Sequence, residues 1–195
     1  LMDRAGMLSE AIFESPRPDP QWPRIRAFAM RDLDEAIRRD PGLGSAWLMI
    51  ARLQTLPGGD RKKAEAAATK AMELLGDKKL ERARATLVLA DLADDPKTKA
   101  RLLDEAVDLS PRDPDVRRAR GMYRLTEDQF DKAREDLAIA AEEQPRNASI
   151  YEALGLAFLM SEKLEEARDA FGKAIELEPD AIGPRLQRAR VLAVE

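Results

Sequence analysis

The chain has 195 residues with 33 basic and 37 acidic side chains, a net charge of −4, and neither cysteine nor histidine. Those counts exclude disulfides, thiolate nucleophiles, imidazole bases and nearly all transition-metal sites, and the interspersed, slightly acidic charge argues against a dedicated nucleic-acid or anionic-membrane binder. A charged fraction of 36% with 5% aromatics suits a thin helical layer with much surface per residue, and no apolar run approaches the roughly 18 residues of a membrane span.

The first stretch, 1–14, carries Met2, Ala5, Met7, Leu8, Ala11, Ile12 and Phe13 in a helix-compatible pattern. A proline-rich insert at 15–23 follows, with Pro16, Pro18, Pro20 and Pro23, and predicts extended or turn backbone. Within it, Trp22 is expected to cap an exposed end of the fold. Helix resumes at about Arg24 and carries Phe28, Ala29, Leu33, Ala36 and Ile37 up to Pro41.

The next helical pair opens near Ser45, breaks at Pro57-Gly58-Gly59-Asp60 and ends at Gly76, a helix stop. A third runs from about Leu80, turns at Asp94-Asp95-Pro96 and returns to Pro111. A fourth spans Pro114 to Arg146. In the fifth, Tyr151, Leu154, Gly155 and Phe158 form one stripe, and Leu164, Ala167, Phe171, Ala174, Ile175 and Leu177 form a second after the break at Ser161-Glu162-Lys163. Gly155 is expected to face Ala167 and Ala174, letting the two helix axes approach closely.

The period is countable. Ala36, Ala71, Ala106, Ala140 and Ala174 recur every 34 or 35 residues, and Pro41, Gly76, Pro111, Pro145 and Pro179 each follow five residues later. Seven before each alanine stand Ala29, Ala64, Lys99, Ala133 and Ala167, so Lys99 alone breaks that column. Helix pairs repeating at this interval define an α-solenoid, because a single hairpin cannot bury its own apolar faces and needs neighbours.

These residues resemble the tetratricopeptide repeat family. Tyr151, Leu154, Gly155, Phe158, Ala167, Phe171, Ala174 and Pro179 fill all eight places of its signature. The fourth copy departs from it with Arg117, Arg120 and Arg124, although Gly121, Ala133, Leu137, Ala140 and Pro145 conform. A partly buried arginine needs a partner, and Arg120 is expected to be tied to Asp136 on the following helix.

The expected fold is all-α, a right-handed superhelix of antiparallel helix hairpins. Its parts are an irregular first repeat at 1–43, repeats at 44–79, 80–113, 114–147 and 148–181, and an unpaired terminal helix at 182–195, together one continuous solenoid domain. Matching Arg4-Ala5-Gly6 to Ala119-Arg120-Gly121 makes the proline-rich insert the source of the extra length in the first repeat. With both ends inside hairpins, the chain reads as a piece of a longer protein.

Catalysis would have to be built from Asp, Glu, Lys, Arg, Ser and Tyr. Asp94-Asp95, Glu142-Glu143 and Glu165-Glu166 are adjacent pairs, which on a helix diverge by about 100° and cannot flank one bond. Asp94-Asp95-Pro96 lacks the spaced oxygen ligands of a calcium loop, and Pro57-Gly58-Gly59-Asp60 lacks the Gly-Lys-Ser/Thr completion of a phosphate loop. No cofactor or metal is expected, and the chain is read as a non-catalytic module.

The resemblance implies that first helices line a concave groove. By position, Leu48, Met49, Arg52, Arg84, Val88, Arg118, Met122, Leu125, Leu156, Leu159 and Met160 point into it. Apolar residues and arginines together suit a protein or peptide partner with acidic character or apolar anchors. The packing alternative is that these apolar residues lie between neighbouring first helices and the arginines pair within the chain. Chaperone-tail binders of this family hold a carboxylate with lysines and asparagines, and Val88 and Ala119 stand where asparagines would be wanted. A non-catalytic region of a larger enzyme, such as a protease or transferase, is the second reading. RNA binding ranks third, against the charge and the lack of groove aromatics. The uncovered terminal helix, with Leu186, Ala189, Leu192 and Ala193, could drive homodimerisation through the solenoid ends.

Overall fold

The computed structural model describes residues 1–13 and 19–193; Ser15, Pro16, Arg17 and Pro18 of the proline-rich insert lie outside the described residues. Eleven α-helices and no strand are found among the described residues: α1 (Met2–Phe13), α2 (Trp22–Arg39), α3 (Gly44–Thr55), α4 (Arg61–Leu74), α5 (Lys79–Leu92), α6 (Pro96–Leu109), α7 (Pro114–Thr126), α8 (Phe130–Glu143), α9 (Ala148–Met160), α10 (Leu164–Leu177) and α11 (Ile182–Leu192). The fold class is all-α, built from antiparallel hairpins of the solenoid kind.

Helix ends follow local chemistry. Asp60, Asp113 and Asn147 cap α4, α7 and α9 by accepting from backbone N–H groups of the first turn. Gly76 has φ +52°, the left-handed conformation expected of a stop after α4. Helix α2 begins two residues earlier than the prolines suggested, with Trp22 and Pro23 inside its first turn. Proline is accepted there because a first-turn N–H has no intrahelical partner to lose.

The chain divides into two compact units, Leu1–Leu109 and Ser110–Glu195. In the first, consecutive helices pack along α1 to α6, and α3 also touches α1 and α5. In the second, consecutive helices pack along α7 to α11, and α9 also touches α7 and α11. Among the described residues, the second helices of the hairpins within each unit make no such contact with one another. First helices thus lie closer together than second helices within each unit.

Small residues set the hairpin spacing. Ala64, Ala68 and Ala71 of α4 and Ala133 and Ala140 of α8 are fully buried. A Cβ on Gly155 would stand 2.6 Å from the Phe171 ring, and one on Gly121 would stand 2.8 Å from Leu137. The partner of Gly155 is thus the large side chain at 171 rather than Ala167 or Ala174. An aromatic ring fills the crossing point, and the alanines one turn on either side let it enter.

Trp22 is half-buried and packs against the core of the first unit. With Ile12, Pro23, Leu56 and Pro57 it borders a cavity of about 160 Å³. Beside it, the Arg26 guanidinium donates to the carbonyl oxygens of Pro57 and Gly58 at 3.1 and 2.8 Å. Trp22 therefore sits between the first hairpin and the α3–α4 turn instead of capping an open end. The reason is geometric: the insert delivers it to the start of α2, next to the second hairpin.

Candidate functional site

The arginines of the fourth copy are structural first. Asp136 on α8 is fully buried and accepts from Arg117 Nη1 at 2.6 Å, from Arg120 Nε and Nη2 at 2.8 Å each, and from Arg124 Nη1 at 2.7 Å. Arg120 is tied to Asp136, as the sequence led us to expect. Burial alone would push the Asp136 carboxyl up, but hydrogen bonds from Arg120 and Arg117 and the charges of Arg120 and Arg124 hold it below the ordinary carboxylate value.

The first hairpin repeats this device. Asp32, three residues after Ala29 as Asp136 is after Ala133, is 3% exposed and takes a two-point ion pair from Arg4 on α1. Arg4 thus holds the place of Arg120, and Ala5, fully buried, holds that of Gly121. Our alignment of Gly6 with Gly121 is corrected by one residue: a Cβ on Gly6 would meet nothing nearer than Met49 Cε at 3.9 Å. The sequence does carry the signal, as Ala-x-x-Asp-Leu-x-x-Ala from Ala29 to Ala36 and again from Ala133 to Ala140.

The groove residues divide by exposure. In the first unit, Leu48 is 7% exposed in a cluster with Ala71, Leu75 and Ala85, and Val88 is 6% exposed in the main core. Both belong to the packing of first helices on their neighbours and offer little surface. Helix α3 touches α5 along this face, and that contact covers them. Met49 is half-buried against the core, and the Arg52 guanidinium lies 4.1 Å from the Phe13 ring centre in a cation–π contact. Arg84 is half-buried and also engaged within the chain.

In the second unit more of the surface stays open. Met122 on α7 is 39% exposed and Met160 on α9 is 52% exposed. Leu125, Leu156 and Leu159 are half-buried, the first against a core cluster of α8 and α9, the others against one that includes Phe171 and Val191. Arg118 is half-buried, and its Nε has no hydrogen-bond partner among the described residues. Glu152, on the same helix as Leu156, is half-buried; burial, then the Glu178 charge, raises its carboxyl above the ordinary value. The sequence alone did not single out Glu152.

Among the described residues no three His, Cys, Asp or Glu side chains gather to hold a metal, and no helix is long and apolar enough to cross a membrane. The arrangement offers apolar surface, hydrogen-bond donors and charge.

Comparison with known proteins agrees with this architecture. Residues 148–181 match the tetratricopeptide repeat family model. A thermophilic TPR protein of Thermus thermophilus superposes with a TM-score of 0.69 at 19% identity, covering 99% of this chain and 100% of that one. YrrB, described as a TPR protein with an unusual peptide-binding site, gives 0.59 at 22% identity over 95% of this chain and 99% of its own. The first TPR of Spaghetti, bound to an HSP90 peptide, gives 0.56 at 18% identity over 59% of this chain and 96% of its own. No curated protein matches the sequence. The chain has the tetratricopeptide-repeat fold, an α-solenoid, and this fold typically serves as a protein-interaction scaffold.

Proposed function

We propose that this protein is a non-catalytic interaction module whose second unit binds a peptide segment on the face shared by α7 and α9. The observation that carries this reading is that α7 and α9, which pack on each other, each carry an exposed methionine, Met122 and Met160, along with half-buried Leu125, Leu156 and Leu159. Exposed apolar side chains on packed neighbouring helices favour a partner, and methionine repacks readily around differing apolar anchors. Arg118, half-buried on α7, adds positive charge to this face. In the first unit, taken by itself, Met49, Arg52 and Arg84 are the candidates with some surface, whereas Leu48 and Val88 are buried.

Peptide binding by two structural neighbours supports the class of ligand. The chaperone tail of one of them is not carried over, because Val88 and Ala119 replace the asparagines that such binders use. The test is a peptide array probed with the wild-type chain and with Met122→Glu and Leu156→Glu. Loss of the same peptides in both variants, with unchanged circular-dichroism melts, is the expected result. Identical peptide profiles in all three proteins would overturn the assignment.

A further inference from the structure

We infer that the outer face of α11 is the open half of another arginine–aspartate lock, and that it takes an amphipathic helix carrying aspartate in an Ala-x-x-Asp-Leu-x-x-Ala stripe. This face is separate from the one on α7 and α9 assigned above, and the inference does not depend on that assignment.

The argument starts from position. Helix α11 begins two repeats after α7, and Arg185, Arg188, Ala189 and Leu192 stand where α7 has Arg117, Arg120, Gly121 and Arg124. On α7 that face is covered by α8: Arg117 and Arg120 are 15% and 12% exposed, and the aspartate they grip is fully buried. On α11 the corresponding face is bare. Pro184 and Val191 are buried on the side toward α9 and α10, whereas Ala189 is exposed and Leu192 is 53% exposed. Arg185 and Arg188 are exposed, and neither has a carboxylate partner among the described residues.

The occupant's chemistry comes from comparing the five hairpins. Where the first helix carries arginine at the Arg120 place, as Arg4 or Arg120, the covering helix carries the buried Asp32 or Asp136. Where that place holds Ile50, Thr86 or Leu154, the covering helix has Ala67, Leu102 or Ala170 instead of aspartate. Charge and countercharge thus occur together or not at all, as the cost of burying either alone requires. Helix α11 carries three arginines and no acid, and its Arg188-Ala189 repeats Arg4-Ala5. A helix laid on it as α8 lies on α7 would place its aspartate between Arg185 and Arg188, its leucine over Ala189, and its two alanines against the α11 backbone.

The test uses the full chain and a helical peptide with the sequence of residues 130–143, cross-linked across its outward face so that it is folded when free. Fluorescence anisotropy should give saturable binding, weakened at least tenfold by Asp136→Asn in the peptide and equally by Arg188→Gln in the chain. Dependence on position 188 separates docking on α11 from exchange with α8 on α7. A chain with Arg188→Asp should recover binding to a peptide with Asp136→Arg. Absence of saturable binding, or equal affinity for the Asp and Asn peptides, would overturn the inference. So would self-association in sedimentation that Leu192→Glu abolishes, which would assign the face to a second copy of the chain.

Discussion

Gly155 on α9 lies directly beneath the ring of Phe171 on α10, so close that a methyl group at 155 would stand 2.6 Å from the ring carbon Cε1. Phe171 is itself fully buried and has no room to retreat. Gly155→Ala is therefore expected to destabilise the protein by about 1–3 kcal/mol, the usual cost of overpacking, despite the better helix propensity of alanine. Gly6→Ala is the control: its new methyl meets nothing nearer than 3.9 Å, so the helix gains and stability rises by up to about 1 kcal/mol. Urea unfolding of both variants checks the pair, and the two changes should have opposite signs.

The same contact shows what a sequence reveals and what it leaves to packing. Tyr151, Gly155, Phe171 and Pro179 identify a hairpin because their spacing is local, and one well-formed copy calibrates the others. The ion pair of Arg120 and Asp136 was legible for a related reason, since a buried arginine has few affordable partners. Position within a repeat says which way a side chain points but not how near the next helix lies. Leu48 and Val88 point to the same side as Met122, yet they are buried and it is exposed. Arg4 was missed because an insert separates it from Asp32, so local spacing could not connect them.

Asp136 should dominate the acid limb of the stability curve. Its folded-state carboxyl is held below the ordinary value, so it contributes stability that is fully present above the unfolded carboxyl value of about 3.9 and is lost as pH falls through the folded value. Asp32 acts in the same direction, held down first by the hydrogen bond from Arg4. At pH 7, Asp136→Asn leaves three arginines around a neutral group and is expected to cost about 3–5 kcal/mol. The discriminating measurement is urea unfolding from pH 2 to pH 7. The variant should show a flatter decline than wild type below about pH 4, and parallel curves would contradict the role given to Asp136.

Two hairpin turns store backbone strain at the same repeat position. Asp128 and Glu162 have φ of 56° and 58°, the left-handed region that side chains other than Asn, Asp and Gly rarely adopt. Aspartate tolerates this better than glutamate, whose longer side chain cannot bond as readily to its own backbone. Glu162→Asn is therefore expected to stabilise by about 0.5–1 kcal/mol, and Asp128→Asn to change stability by less than about half of that. Thermal melts of the two variants read the difference directly.

Glu152 carries the opposite electrostatic sign from Asp136. Burial first, and the neighbouring Glu178 charge second, raise its carboxyl above the ordinary value. Its protonated form therefore contributes stability that is fully present below the unfolded value of about 4.3 and is lost as pH rises through the folded one. The side chain is only half-buried, so solvent screens much of the effect. Glu152→Gln should accordingly stabilise the chain at pH 7 by less than about 1 kcal/mol, with the gain fading to nothing by about pH 4. Added salt should shrink the gain at pH 7, because part of what the substitution relieves is repulsion from Glu178. Denaturant midpoints for both proteins, measured at pH 4 and pH 7 in low and high salt, resolve all three dependences, and a variant less stable than wild type at pH 7 would refute this account of Glu152.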